Sequence, residues 1–251
     1  MIVGAIKTRP LIPPKDDLLS VIKESFLGLK IKEKSIIVVT SKVVSIWQGK
    51  CIKIDKKINK EELIKKESDF YTKGIKFLEK NIMLTIKDNI LIPTSGIDES
   101  NANGYYILWP EKPFGAAKEI YDFIKKEYKL NSLGVIISDS HTTPLRTGIM
   151  GIGLAHYGFN PLRDYRGKKD IFGRELEMSQ TNIVDSLAAA AVYKMGEGAE
   201  QTPIAIIEDV DDIEFGDKEF GSLKIDIDED IYSPFLKSVK WRKGGSNNLS
   251  K

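Results

Sequence analysis

Cysteine is nearly missing from this chain: Cys51 is the only one in 251 residues, so an intramolecular disulfide and a cysteine-rich zinc site are both excluded. Neither sign of charge is in excess. Lys and Arg total 38 against 36 Asp and Glu, a formal +2, so there is no concentrated basic footprint of the kind nucleic-acid or membrane partners leave. Long apolar runs are absent too; the longest are strand-sized, which argues against a membrane span. Met1 to Ile6 is too short for a secretory leader, and the cytoplasm is the expected location. No internal repeat occurs. Neither GxxxxGK[ST] nor GxGxxG is found, so any nucleotide must be held without a Walker loop or a dinucleotide fingerprint.

What is present is ordinary globular composition, 41% hydrophobic and 29% charged, long enough to bury a large core as one domain or two closely packed ones. Leu18, Leu19, Ile22, Phe26, Leu27 and Leu29 recur at helical spacing behind Asp16 and Asp17, which suit a helix start. SIIVVT (Ser35 to Thr40) reads as a buried strand. Asn59 to Lys80 reads as a charged, exposed helix, and MLTIKDNILI as a hairpin turning at Asp88 and Asn89. A helix-like segment, Gly115 to Leu130, precedes the β-branched run Val135, Ile136 and Ile137. A further helix, Asn182 to Met195, carries small residues at Ala188 to Ala191 that permit close approach of a neighbour, and it ends at Gly196. The predicted class is α+β, mixed sheets with packed helices, in one domain over 1–240 that can contain two interleaved subdomains. GGSNNLSK points to disorder from Gly244, and 241–251 is read as a tail. The acidic stretches Glu208 to Asp217 and Asp226 to Asp230 read as solvated edges.

The chemistry-bearing pieces lie at the ends of these elements. In GVIISDSHTTPLRTG (Gly134 to Gly148) an apolar strand runs into Asp139, Ser140, His141, Thr142, Thr143 and Arg146, where mixed α/β folds hold ligands. A capped turn is the ordinary alternative. GIDESN (Gly96 to Asn101) comes after the strand Ile90 to Pro93 and again places oxygen ligands, Asp98, Glu99 and Asn101, at a strand end. Magnesium and manganese favour a few carboxylates completed by waters and phosphates, so Asp98 with Asp139 would make a split metal site. In MGEGAE (Met195 to Glu200), Gly196 and Gly198 allow backbone close to a ligand, and Glu197 could complete a metal shell; a glycine helix cap is the alternative. LRDYRGKKDIFGR (Leu162 to Arg174) gathers Arg163, Arg166, Lys168, Lys169 and Arg174, suited to an anionic substrate or to solvent. TSKVVS (Thr40 to Ser45) brings hydroxyls and Lys42 to the end of SIIVV. His156, within GIGLAHYGF, reads as a core residue.

Taken in order, Arg9-Pro10-Leu11-Ile12, TSKVVS, GIDESN, GVIISDS, DYRGKKDIFGRELE and MGEG resemble the coenzyme F420 γ-glutamyl ligases, over nearly the whole chain to about Glu208. The resemblance implies a ligase that joins L-glutamate to coenzyme F420-0 with GTP as co-substrate, on that family's fold and as an intertwined homodimer. It implies divalent-metal ligands at Asp98, Asp139, Ser140 and Glu197, with Mg2+ or Mn2+ and K+ as the candidate ions. Nucleotide contacts would come from Pro10, Leu11, Ile12, Pro13, Ser41, Lys42, Asn101, Met195, Gly196, Glu197 and Gly198. The family's route passes through an acyl phosphate, from which the glutamate amine then displaces phosphate. Asp139, and Arg146 as a two-point contact for an anionic group of the acceptor, are the catalytic candidates. His141 is a candidate for proton transfer or for bonding phosphate. Two departures bear on the acceptor. Ile46 stands where many members carry lysine, and HTTPLR with SIWQG is more similar to a bacterial branch provisionally assigned to folate γ-glutamylation, which makes folate the second candidate acceptor. The competing class is a non-catalytic protein that binds a nucleotide with a pterin or flavin on the same fold.

Overall fold

The computed structural model describes residues 1–77 and 79–245. In chain order the first elements are β1 (Ile2–Ile6), α1 (Leu18–Ser25), β2 (Ile36–Thr40), α2 (Ser41–Gln48), β3 (Cys51–Lys53), α3 (Lys60–Glu67), β4 (Phe70–Tyr71), β5 (Ile75–Phe77) and β6 (Lys80–Ile82). Next come β7 (Leu84–Lys87), β8 (Ile90–Pro93), a 3-10 turn (Thr94–Gly96), β9 (Tyr105–Ile107), α4 (Pro113–Tyr128), β10 (Gly134–His141) and β11 (Met150–Tyr157). The last are β12 (Leu162–Asp164), β13 (Gln180–Asn182), α5 (Ile183–Met195), β14 (Ile204–Glu208), α6 (Ser233–Ser238) and β15 (Arg242–Lys243). The fold is α+β with several sheets, as the patterning predicts.

A five-stranded sheet in the order β1-β14-β2-β10-β11 forms the centre. Its middle strands are β-branched and alternate with period two, so each strand serves two cores. Ile37 and Val39 of β2 and Val135 and Ile137 of β10 pack with α1, α2 and α4, around Val21, Ile22, Phe26, Ala117, Ile120 and Tyr121. Ile36, Val38 and Ile136 face the other way, onto Val184, Leu187, Ala188, Ala191 and Val192 of α5. α1 and α5 start at polar caps: Asp17 accepts the Leu19 N–H at 3.1 Å and Asn182 accepts the Asp185 N–H at 3.0 Å. The small face of α5 does what its alanines suggest. A Cβ on Gly151 of β11 would lie 2.4 Å from the Ala188 carbonyl oxygen, so helix and strand touch backbone to backbone. A register shift between Ile137 and Ser138, where β10 pairs with β11, re-aims Ser138 to His141 toward the sheet's end.

A second sheet, β15-β4-β7-β8, includes the expected hairpin, with Asp88 at φ 49° and Asn89 at φ 67° making its turn. Four expectations are corrected. The helix expected over Asn59 to Lys80 stops at Glu67, because Phe70 and Tyr71 pair with Ile86 and Thr85, and Ile75 and Phe77 alternate as strand residues do. Leu27 and Leu29 are exposed, since α1 ends at Ser25 and Gly28 turns the chain at φ 80°. The strand Val135 to Ile137 continues through Asp139 and Ser140 to His141, paired with β11 throughout. The expected tail is ordered as far as Gly245: Arg242 and Lys243 pair with β4, and the Gly244 N–H donates to the Asp69 carbonyl at 2.8 Å. Residues 246–251, the rest of that segment, lie outside the described residues. The acidic stretches are edges, with Lys32 paired to Glu208 and Asp209, Lys125 to Asp217, and Lys237 to Asp228.

Candidate active site

Strands β2 and β10 are parallel neighbours, and both carboxyl ends open into a cavity of about 680 Å³. This is the position at which open sheets hold ligands, because chain leaving adjacent strands diverges there and exposes backbone polar groups. At the end of β2 the chain turns directly into α2, so Ser41 and Lys42 occupy the helix's first turn, with its unpaired N–H groups. At the end of β10 stand Ser138, Asp139, Ser140 and His141. Met195 to Gly198 arrive from the end of α5, and Asp98 to Asn101 from beyond the 3-10 turn after β8.

Asp98 is fixed at both levels. Its backbone bridges Ile107, by N–H donation at 3.0 Å and carbonyl acceptance at 2.8 Å. Its Oδ1 accepts the Ser100 N–H at 2.7 Å and hydroxyl at 2.9 Å, while Oδ2 lies 2.7 Å from Lys42 Nζ. Burial pushes the Asp98 pKa upward, but the Lys42 ammonium and the Ser100 bonds outweigh it and hold the carboxyl below the usual range. Asp139 is the opposite case. Burial raises its pKa to about 6, against bonds from the Ser140 N–H at 2.7 Å and from Ser41, and the charge of Asp98 adds to the rise. The two carboxylates therefore share one electrostatic environment, although Asp139 lies on β10 and Asp98 comes from the segment beyond the 3-10 turn. Ser140 Oγ donates to Glu197 Oε1 at 2.7 Å, and Asn101 Nδ2 donates to the Gly198 carbonyl at 2.8 Å, which ties the GIDESN loop to the MGEG loop.

Among the described residues, no three His, Cys, Asp or Glu side chains stand close enough to hold an ion by themselves. The donors are all oxygens, two carboxylates with a serine and a third carboxylate beside them, and that chemistry fits Mg2+ or Mn2+ sharing its shell with phosphate and water. The structure gathers most of the predicted residues: Pro10, Leu11, Ser41, Lys42, Asp98, Asn101, Asp139, Ser140 and Met195 to Gly198 all line the cavity. Three are not in its wall. Ile12 is exposed with its N–H given to Asp16, Pro13 is buried behind it, and Arg146 projects from the exposed loop 142–149.

The basic segment that begins in β12 does not reach the cavity either. Arg163 donates to the Asp211 and Asp212 carbonyls and Arg166 pairs with Asp164 within the same hairpin. His141 lines the cavity, its pKa lowered by burial, and His156 is a core residue wedged between Phe114 and Phe159, pushed down to about 4 by burial. Sequence reasoning missed several walls. Thr8 and Arg9 line the cavity, with Arg9 gripped by Asp16 at 2.8 and 2.9 Å. Gln201 to Pro203 and the fully buried Ser138 do so too, and Ser138 Oγ has no hydrogen-bond partner among the described residues. Only the RPLI motif, which begins at Arg9, could have marked that residue. Ile46 lies with Leu11, Val43 and Ile92 at the apolar end.

Fold and cavity define the class: a mixed α+β protein with an oxygen-rich cleft at the ends of parallel strands. The F420-0:gamma-glutamyl ligase family matches residues 6–209, and the chain belongs to that family. It is 33% identical over 215 residues to a protein of Methanocaldococcus jannaschii, covering 80% of this chain and 86% of the relative. Relatives from Methanococcus maripaludis strain C7 (32% over 211 residues, 79% and 84% covered) and Methanosarcina mazei (31% over 221, 82% and 85%) are similar to it on the same scale. All three are named coenzyme F420:L-glutamate ligase. The family is one of glutamate ligases, and no helix among the described residues is long and apolar enough to cross a membrane.

Proposed function

We propose that this protein joins L-glutamate to coenzyme F420-0 through a γ-glutamyl amide, with GTP as co-substrate and Mg2+ or Mn2+ in the cavity, K+ being a further candidate ion. The observation that carries the reading is the pair Asp98 and Asp139, brought from the segment beyond the 3-10 turn and from β10 to one cavity beside Lys42 and the first turn of α2. A divalent ion bound there would neutralise charge on the transferring phosphate. Asp98, Asp139, Ser140 and Glu197 would hold it. Ser41 and the α2 N–H groups orient phosphate oxygens, Lys42 moves from Asp98 to the phosphates, and the apolar end at Leu11, Val43 and Ile46 takes the purine. Arg146, on the exposed loop 142–149 whose end residues Thr142 and Ile149 line the cavity, meets an anionic group of the acceptor, and folate is the second candidate acceptor. The protein works in the cytoplasm as a homodimer. The exposed Leu145, Ile171, Phe172 and Met178 support a partner surface on these two loops.

Calorimetry tests the nucleotide and metal assignments together. GTP or GDP is expected to bind only with magnesium or manganese present; tight binding that survives chelation and Glu197→Ala contradicts the assignment. Binding of the metal needs Asp139 ionised, so metal-dependent turnover should decline about tenfold per unit as pH falls below about 6. A profile flat from pH 7 to 5 would remove Asp139 from the site. Arg146→Ala should cut turnover on the order of a hundredfold with nucleotide affinity unchanged, and unchanged turnover and acceptor KM would exclude Arg146.

A further inference from the structure

The two glycines of MGEG are crowded by a side chain of their own chain. Gly196 sits at φ 78° and ψ 171°, a conformation essentially confined to glycine, and a Cβ there would fall 2.5 Å from Glu200 Cδ. A Cβ on Gly198 would meet both Glu200 carboxylate oxygens, at 3.3 and 3.4 Å. Glu200 folds back across the loop, and its Oε2 accepts the Gly198 N–H at 2.8 Å. On the other side of the same residue, the Gly198 carbonyl accepts from Asn101 Nδ2 at 2.8 Å. Thr202 Oγ1 closes the base of the loop on the Met195 carbonyl. Gly198 is thus held through its N–H and through its carbonyl by two residues from different loops. Immediately before it stands Glu197, whose carboxylate meets Ser140.

We infer that Glu200 and Asn101 are positioning residues, a two-sided clamp on Gly198 that fixes the Glu197 carboxylate beside Ser140 and Asp139. This rests on the proposed ligase reading for its purpose and on the hydrogen bonds alone for its existence. A short glycine-containing loop has many accessible conformations, and Glu197, exposed and with only Ser140 as its hydrogen-bond partner among the described residues, cannot select one by itself. Two bonds on the adjacent glycine remove that freedom before any ligand arrives, in the way outer partners orient metal ligands. Asn101, for which the family resemblance implies a nucleotide contact, is spent on the loop.

Two readouts on the full chain test this. Hydrogen exchange at the Gly198 amide needs no ligand: the wild type should protect it, Glu200→Ala should lose about tenfold or more of that protection, and Glu200→Gln, whose amide oxygen still accepts, should stay within about threefold. Exchange of the wild-type amide at the free rate overturns the clamp. Manganese binding in the presence of GDP, tracked by the free-ion paramagnetic resonance signal, gives its consequence: Glu200→Ala and Asn101→Ala should each weaken binding about tenfold, and Glu200→Gln about threefold or less. Equal weakening by Ala and Gln at 200 would mean that the carboxylate charge itself acts on the ion, which defeats the positioning role. If the wild type binds no manganese with GDP, the ligase reading's metal site fails while the exchange result still decides the clamp. Melting temperature should be unchanged in all three variants, because Glu200 and Asn101 are exposed.

Discussion

Asp139→Asn is expected to abolish metal-dependent ligation, by about a thousandfold or more, and to raise the stability of the metal-free protein. The second effect comes from the sign of the pKa shift. In the folded protein Asp139 has a pKa of about 6 against the usual 3.8, so the folded state binds its proton more tightly than the unfolded chain. Stability is therefore lost as pH rises from about 4 to about 6, and the deficit persists above that. At neutral pH the ionised carboxylate costs the fold about 1–3 kcal/mol, which asparagine removes while keeping an oxygen for the Ser140 N–H. Asp98→Asn should kill turnover equally but destabilise. Its carboxyl is held below the usual range, so its contribution is present above pH 3.8 and lost as pH falls, and the substitution leaves Lys42 without its ion pair. Thermal melts with chelator, alongside turnover, check the pair. Loss of stability in Asp139→Asn, or normal turnover in either variant, contradicts the roles assigned.

Gly151→Val should cost about 3 kcal/mol or more and lower the melting temperature by about 10 °C. The space a Cβ would need is occupied by the backbone of Ala188, at 2.4 and 2.7 Å, and by Val192 Cγ2 at 2.7 Å. Backbone cannot rotate away, so α5 must lift from the sheet. Because α5 ends in the Met195 to Gly198 loop, the displacement should also weaken nucleotide binding. Gly4→Ala is the matched control: its nearest neighbour is 4.0 Å away and its φ is not positive, so the change should stay within about 0.5 kcal/mol. A Gly151→Val protein that melts like the wild type would mean that α5 and β11 are not in backbone contact.

The central sheet is legible in the sequence because its strands carry their own instructions: β-branched runs such as Ile36 to Val39 bury both faces, and capping residues such as Asp17 and Asn182 mark helix starts. The region from 59 to 80 is not, because the charged composition of Lys60 to Glu67 carries on beyond residue 67, and only pairing with Ile86 and Thr85 makes Phe70 and Tyr71 a strand. Long-range pairing hides the order of the C-terminal segment in the same way. Gly244 has linker composition, yet its N–H finds the Asp69 carbonyl, a partner more than 170 residues away in sequence. At the site, residues that announce chemistry are readable: Asp98, Asp139 and Glu197 are acidic groups at element ends. Residues that shape it are not. In sequence Glu200 is one more acid after a glycine pair, and only the folded loop lays it across them; in the basic segment Arg166 pairs with Asp164 and Arg163 with the Asp211 and Asp212 carbonyls, as composition alone cannot reveal.

The proposed activity meets its most direct test in a single incubation of purified protein with coenzyme F420-0, L-glutamate, GTP and manganese, with product read by mass and released phosphate counted. The expected result is a glutamyl-extended coenzyme, with one phosphate released per amide formed and no release when glutamate or manganese is withheld. Phosphate release that continues without glutamate and yields no extended product from F420-0 or from folate would contradict the ligase reading.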